Sequence, residues 1–165
     1  MASAYTVFLY RGINTPPYVL IGKKNPNCPN NGGQRAFPGG RANAGENLFD
    51  AARRETQEET LLQIPEWPEG GQTHGQILGH PYVCDGRQFD GFYVAYIQMG
   101  TPAGLDALRR AANLNLPQIP ANQREFLQFN VVSAEDAMQS FTDDHDPRSS
   151  RRSTDWFKDA LSEIL

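Results

Sequence analysis

The sequence predicts an α+β or mixed sandwich architecture, and three observations carry that expectation. Short apolar, β-branched runs fall into two groups, and each group is followed by a helical segment. The C-terminal segment carries Trp156, Phe157, Leu161 and Ile164 at helical spacing, a stripe that needs a core to bury against. With 165 residues, 39% of them hydrophobic, the chain can build one such core, so a single domain over residues 1–165 is expected.

The elements follow in order. Residues 4–10 are apolar and β-branched enough for a strand, and Arg11-Gly12 opens a turn. Residues 18–21 (YVLI) predict a second short strand. The stretch 25–33 (NPNCPNNGG) is turn chemistry throughout, and 34–37 leads into Pro-Gly-Gly. A helix is expected from Glu46 or Asn47 to Leu62, since Ile64 precedes a proline and is biased away from helix. Residues 65–72 form a Pro/Gly loop, and 76–84 and 88–98 predict two strands joined at Asp85-Gly86. A short helix over 105–112, a strand over 126–132 and a helix over 133–141 come next. Ser133 caps that last helix, with Asp136 at its third position. The charged segment 143–152 reads as a linker to a final helix that Ser153 or Thr154 caps.

Composition narrows the function. Fifteen basic against nineteen acidic residues leave a net charge of −4, without the basic footprint of a sequence-independent nucleic-acid binder. A phosphate-handling protein of this charge must draw positive charge from a few arginines or from metal ions. Cys28 and Cys84 sit in no C-x-x-C or metal-type spacing, so two ordinary thiols in a reducing cytoplasm are expected. The first residues lack a basic n-region and a long apolar run, and no window approaches a membrane span. The expectation is a cytoplasmic protein with no membrane partner.

The chemistry concentrates in PGGRANAGENLFDAARRETQEET, residues 38–60. On a helix, Phe49, Ala52 and Thr56 form a stripe for the core. Glu55, Glu58 and Glu59 fall at i, i+3 and i+4, and their carboxylates share an arc of roughly 100°. Such like-charge pairs cost an isolated helix a few tenths of a kcal/mol each, and the macrodipole disfavours anions near the C-terminus. Two readings fit: a solvated acidic face relieved by Arg54, or a site where a hard divalent cation supplies the missing charge. Gly39-Gly40, between a predicted strand and this helix, lets backbone groups approach a ligand or metal closely.

Gly40, Glu46, Arg54, Glu55, Glu58 and Glu59 together match G-x5-E-x7-R-E-U-x-E-E-x-G-U, where U is aliphatic. The chain therefore resembles the Nudix hydrolases, whose signature this is. It departs at Thr56, which replaces an aliphatic residue, and at Leu61, which replaces the last glycine. With leucine there, the helix is expected to run on about a turn or to end by a different geometry. The resemblance implies an α/β/α sandwich with a mixed sheet between helices. It also implies hydrolysis of a nucleoside diphosphate linked to another moiety, with Mg²⁺ or Mn²⁺. By position, Glu55, Glu58 and Glu59 would be the metal ligands, joined by the Gly40 carbonyl, while Arg54 holds the carboxylates through ion pairs and Glu46 braces it.

The general base would be a box glutamate such as Glu58 or an outside acid, of which Glu125 is the best placed. Glu125 is equally readable as a surface glutamate at the head of a strand, and Asp85 and Asp90 as turn acids. Arg35 either reaches a phosphate or lies along the sheet edge. Trp67 either stacks on a base or packs. The run RSSRR, 148–152, reads as solvated linker. The partner expected is a nucleotide-type small molecule, and family members are often dimeric, so the resemblance allows a homodimer. The competing function is a Nudix-fold domain that binds a nucleotide without hydrolysing it.

Overall fold

The computed structural model describes residues 2–28, 32–62, 72–78, 82–84, 87–89, 92–144 and 153–165. The chain runs β1 (Ser3–Tyr10), β2 (Tyr18–Lys24), β3 (Arg35–Ala36), β4 (Gly39–Arg41) and α1 (Leu48–Thr60). It continues through β5 (Gln72–Leu78), β6 (Tyr82–Cys84), β7 (Arg87–Phe89), β8 (Phe92–Gln98) and α2 (Pro102–Asn115). Two 3-10 turns, Leu116–Gln118 and Ala121–Gln123, lead into β9 (Phe126–Ser133), α3 (Ala134–Asp143) and α4 (Ser153–Ser162). Within the expected strand over 76–84, β5 pairs antiparallel with β8, whereas β6 pairs antiparallel with β7 in a separate two-stranded sheet. The helix expected over 105–112 is longer, because Thr101 caps it by accepting from the Gly104 N–H and Pro102 opens its first turn.

The sheet is mixed. β1 pairs in parallel with β8 along nearly its whole length. Its other edge is shared, with β4 antiparallel at its start and β2 antiparallel at its end. β2 then carries β9 on its far side. Side chains alternate across β1 as a strand requires. Ala4 joins Ala51 and Ala52 of α1, whereas Tyr5 meets the edge of Phe157 in α4 at 5.0 Å between ring centroids. Helices therefore cover both faces of the sheet. α2 lies beside α1, with Asn115 Nδ2 donating to the Thr60 carbonyl at 3.1 Å. On the other face, Phe37, Phe141 and Phe157 pack at 5.1–5.4 Å, and the Tyr96 hydroxyl donates to the Ala160 carbonyl. The α4 stripe of Trp156, Phe157, Leu161 and Ile164 is buried throughout.

Both departures in the acidic helix have a physical explanation in the fold. Asn47 caps the start of α1, accepting from the Phe49 and Asp50 N–H groups. The helix stops after Thr60, and Leu61 itself takes the left-handed conformation (φ 53, ψ 18), its N–H donating to the Gln57 carbonyl at 2.8 Å. Leucine thus performs the glycine's turn rather than avoiding it, at a cost of about 1–2 kcal/mol. Thr60 helps close the end: its hydroxyl donates to the Thr56 carbonyl and accepts from the Leu62 N–H.

Thr56, where an aliphatic residue would have packed, is fully buried but satisfied. Its hydroxyl donates to Thr6 Oγ1 at 2.8 Å, and Thr6 donates onward to the Ala52 carbonyl at 3.4 Å. The two threonines act as a unit across β1 and α1. Thr6→Val is expected to cost about 1–3 kcal/mol, because it strands the Thr56 hydroxyl. Adding Thr56→Val should return stability to within about 1 kcal/mol of the parent, because no unpaired donor is then left. Denaturant melts of the two single variants and the double variant check this; additive losses would show that the hydroxyls are not coupled.

Candidate active site

The site begins at the junction of β4 and α1. Gly39 donates its N–H to Glu59 Oε2 at 3.2 Å. At Gly40 a Cβ atom would stand 2.6 Å from Glu55 Oε2, so backbone and carboxylate can approach only because that position is bare. Arg54 is the cation that organises the acids. Its Nε and Nη2 grip both Glu46 oxygens at 2.9 and 3.0 Å. Its Nη1 donates to Glu55 at 2.9 Å and to Glu58 at 3.4 Å, and Nη2 also reaches the Arg41 carbonyl. The hydrogen bonds from Arg54 hold the Glu46 carboxyl below its ordinary range, and Glu46 in turn raises the guanidinium.

Glu59 is set apart from its neighbours. It is 5% exposed, and its Oε1 atom is buried with no hydrogen-bond partner among the described residues. Burial pushes its carboxyl well above the usual carboxylate range, the Glu125 charge adds to the shift, and Lys24 opposes it. Two ionised carboxylates are both acceptors and cannot hydrogen-bond each other, so the Glu59–Glu125 pair calls for a proton or a cation between them. Burial also raises Glu55, with Arg54 acting against it. Glu58 is the most exposed of the three helix acids, its side chain 60% accessible.

Glu125 reaches this site through a distant clamp. Asn25 donates its backbone N–H to the Glu125 carbonyl at 2.8 Å and its side-chain amide to the Arg124 carbonyl. Cys28 Sγ donates to the same Glu125 carbonyl at 3.5 Å, while Asn25 Oδ1 accepts from the Asn27 N–H and shapes the turn. The Asn-Pro-Asn-Cys stretch is thus turn chemistry, as its composition indicates, and also the strap that fixes the head of β9. Lys24 was not foreseen. A register shift between Lys23 and Lys24 turns it inward, to 9% exposure and 5.6 Å from the Phe126 ring centroid. Two adjacent lysines at a strand end carry no signal of which one points in.

Glu55, Glu58, Glu59 and Glu125 line a cleft of about 380 Å³ together with Leu61 and residues 118–120 and 123. Arg35 is engaged elsewhere. Its N–H and Nη1 bind the two Asp144 oxygens at 2.7 and 3.1 Å, at the end of α3. Trp67, Asp85, Asp90 and the arginines of 148–152 lie outside the described residues.

Among the described residues, no three acidic, histidine or cysteine side chains are gathered into a ready-made ligand cage. Arg54 draws Glu55 and Glu58 towards itself, which accounts for the spread. The residues nevertheless fit a divalent cation. Glu59 offers a buried oxygen that no described residue binds, the bare Gly40 lets the Glu55 carboxylate lie against its backbone, and carboxylates are hard donors suited to Mg²⁺ or Mn²⁺. Arg54 acts as the positive charge beside Glu46 and Glu55, and Lys24 as the one beside Glu59.

Comparison with known proteins bears on the family and the fold. The profile of the NUDIX domain matches residues 2–157. The fold is similar to an Ap4A hydrolase from C. elegans, with a TM-score of 0.57, 18% identity and 98% of each chain covered. It is also similar to RenU, a Nudix hydrolase from M. smegmatis, with a TM-score of 0.62, 15% identity, and 99% of this chain and 87% of that one covered. A mutT/nudix family protein from Listeria innocua gives 0.55 and 20%, over 99% and 92%. Identities at this level show a shared fold. No curated protein sequence matches this one.

Proposed function

The chain belongs to the NUDIX domain family, as a hydrolase of phosphoric anhydride bonds, and from that premise we propose a divalent-cation-dependent pyrophosphohydrolase. Its substrate is a nucleoside diphosphate linked to another moiety, cleaved by water attack on a phosphorus. The observation that carries this reading is the buried, unpartnered oxygen of Glu59 beneath Gly39-Gly40. Glu55, Glu58, Glu59 and the Gly40 carbonyl would hold Mg²⁺ or Mn²⁺. When bound, such a cation polarises phosphoryl oxygens and offsets the charge that develops on them.

The chain's own residues supply the rest. Arg54 fixes Glu55 and Glu58 in orientation while Glu46 holds Arg54. Glu125 stands at the edge of the cleft, exposed and free of any ion pair with Arg54, and serves as the base that takes the water's proton as the new P–O bond forms and the bridging P–O bond breaks. Glu58, tied to Arg54, is the less available alternative. Among the described residues no helix is long and apolar enough to cross a membrane, and a cytoplasmic location suits the free Cys28 thiol.

The test is a panel of ADP-ribose, NADH, diadenosine polyphosphates, nucleoside triphosphates and capped RNA, with Mg²⁺ or Mn²⁺. Release of phosphate or nucleotide from one of them, abolished by a chelator and restored by the metal, is the expected result. No release from any would favour a nucleotide-binding domain without hydrolysis. Glu125→Gln should lower kcat by about 100-fold or more, the usual contribution of a positioned general base. An unchanged kcat would return the role to Glu58.

A further inference from the structure

The same cleft also has a wall of different chemistry. Leu61, Ile119 and Pro120 line it, with Gln118 and Gln123 beside them, and no lysine or arginine among the described residues does so. A phosphate group therefore finds no positive charge on this wall, whereas an uncharged flat group finds apolar surface and amides. Leu61 reaches the wall through its left-handed backbone, φ 53 and ψ 18. Strain of that kind in a large residue persists where the surroundings over-determine it, and it collects at functional sites. A glycine at the same turn would leave the wall open. The leucine packs partly against the main core, which anchors it, and also lines the cleft.

The rest of the wall is held firmly. Ile119 is 7% exposed, its N–H donates to the Leu116 carbonyl, and its own carbonyl accepts from Arg124 Nη2 at 2.9 Å. Pro117 and Pro120 fix the backbone on either side of it. The volume, about 380 Å³, lies near the lower end of the ~300–1,000 Å³ usual for small-molecule sites.

We propose that Leu61, Ile119 and Pro120 form the specificity-determining shelf that receives the nucleobase of the substrate, with the Gln118 and Gln123 amides at its polar edge. The inference rests on the pyrophosphohydrolase reading and deepens it. The carboxylates serve the phosphate end through a cation, and the shelf serves the base. Each amide offers two donors and one acceptor group, the complement a heterocycle edge presents.

Two variants test it, Leu61→Gly and Leu61→Met, with melting curves to confirm folding. Turnover of the preferred nucleotide is measured with Mg²⁺, using inorganic tripolyphosphate as a competitor that has the anhydride but no base. Leu61→Gly should raise KM about tenfold, equivalent to about 1.4 kcal/mol, with kcat and the tripolyphosphate Ki unchanged within about twofold. Leu61→Met, which keeps the bulk, should stay within about threefold of the parent KM. An unchanged KM in Leu61→Gly, or a tripolyphosphate Ki that rises in parallel, overturns the shelf. Calorimetric titration of AMP, GMP and UMP in Mg²⁺ separates the two layers of the argument. Binding that Leu61→Gly weakens, in a protein that hydrolyses nothing, keeps the shelf and removes the hydrolase. Failure of the parent protein to bind any of the three, or equal binding by parent and Leu61→Gly, overturns the shelf even where hydrolysis is observed.

Discussion

Glu59→Gln is expected to abolish metal-dependent turnover while leaving the metal-free protein at least as stable as the parent. The loss should be on the order of 100-fold or more, as for removal of one preorganised electrostatic contact. The stability side follows from burial. Glu59 is 5% exposed, and its carboxyl lies well above the ordinary range, chiefly through burial and then through Glu125. A raised carboxyl binds its proton more tightly folded than unfolded, so it costs nothing below the ordinary carboxylate range. Its cost grows as pH rises from that range towards the folded value. Glutamine never ionises, keeps an acceptor for the Gly39 N–H, and brings an amide donor that Glu125 can accept. The variant's advantage in melting temperature, measured with a chelator present, should therefore appear near neutral pH and vanish in acid. Retained turnover would place the cation elsewhere. A lower metal-free melting temperature near neutral pH would show that the ionised carboxylate supports the fold.

Gly39→Ala should damage the fold itself, by about 2–4 kcal/mol from overpacking and an unfavourable backbone angle. Its φ is +157°, and a Cβ there would lie 2.3 Å from the Ala4 carbonyl oxygen and 2.6 Å from Tyr5 Cα. Both are backbone atoms of β1, which β8 pins along its other edge, so they cannot move aside cheaply. Gly40→Ala makes an instructive contrast. There the clash is with the end of the Glu55 side chain, which can swing away. The fold should survive, and activity should fall because Glu55 leaves its place. Urea midpoints and turnover of the two variants separate these outcomes; a Gly39→Ala protein that melts with the parent would refute the account of close approach.

The acidic helix was the part most legible in sequence. Its start near Asn47, its core stripe through Ala52 and Thr56, and the common face of Glu55, Glu58 and Glu59 all follow from helical periodicity and capping. These are interactions over one or two turns, set by residues close in the chain. The Ser133 cap and the α4 stripe were legible for the same reason. The end of α1 was not. Whether Leu61 would refuse the left-handed turn or accept it depended on what its side chain could pack against, and that partner surface is tertiary.

The remaining features belong to the same class. Glu125 reads from sequence equally as a base or as a surface acid; its place in the cleft depends on the Asn25 strap, 99 residues away in sequence at Arg124, at the head of β9. Arg35 could reach a phosphate or lie along the sheet edge, and Asp144, 109 residues on, engages it. Thr56 stands where the signature has an aliphatic residue, and Thr6, 50 residues earlier, supplies the acceptor for its buried hydroxyl. The amino-acid sequence alone determined which residues carry charge and which of them share a helix face, because local geometry is short-ranged. Which carboxylate loses its water and comes near Lys24, and which finds a strap, were decided by strand register and packing, where the partners are chosen by the whole fold.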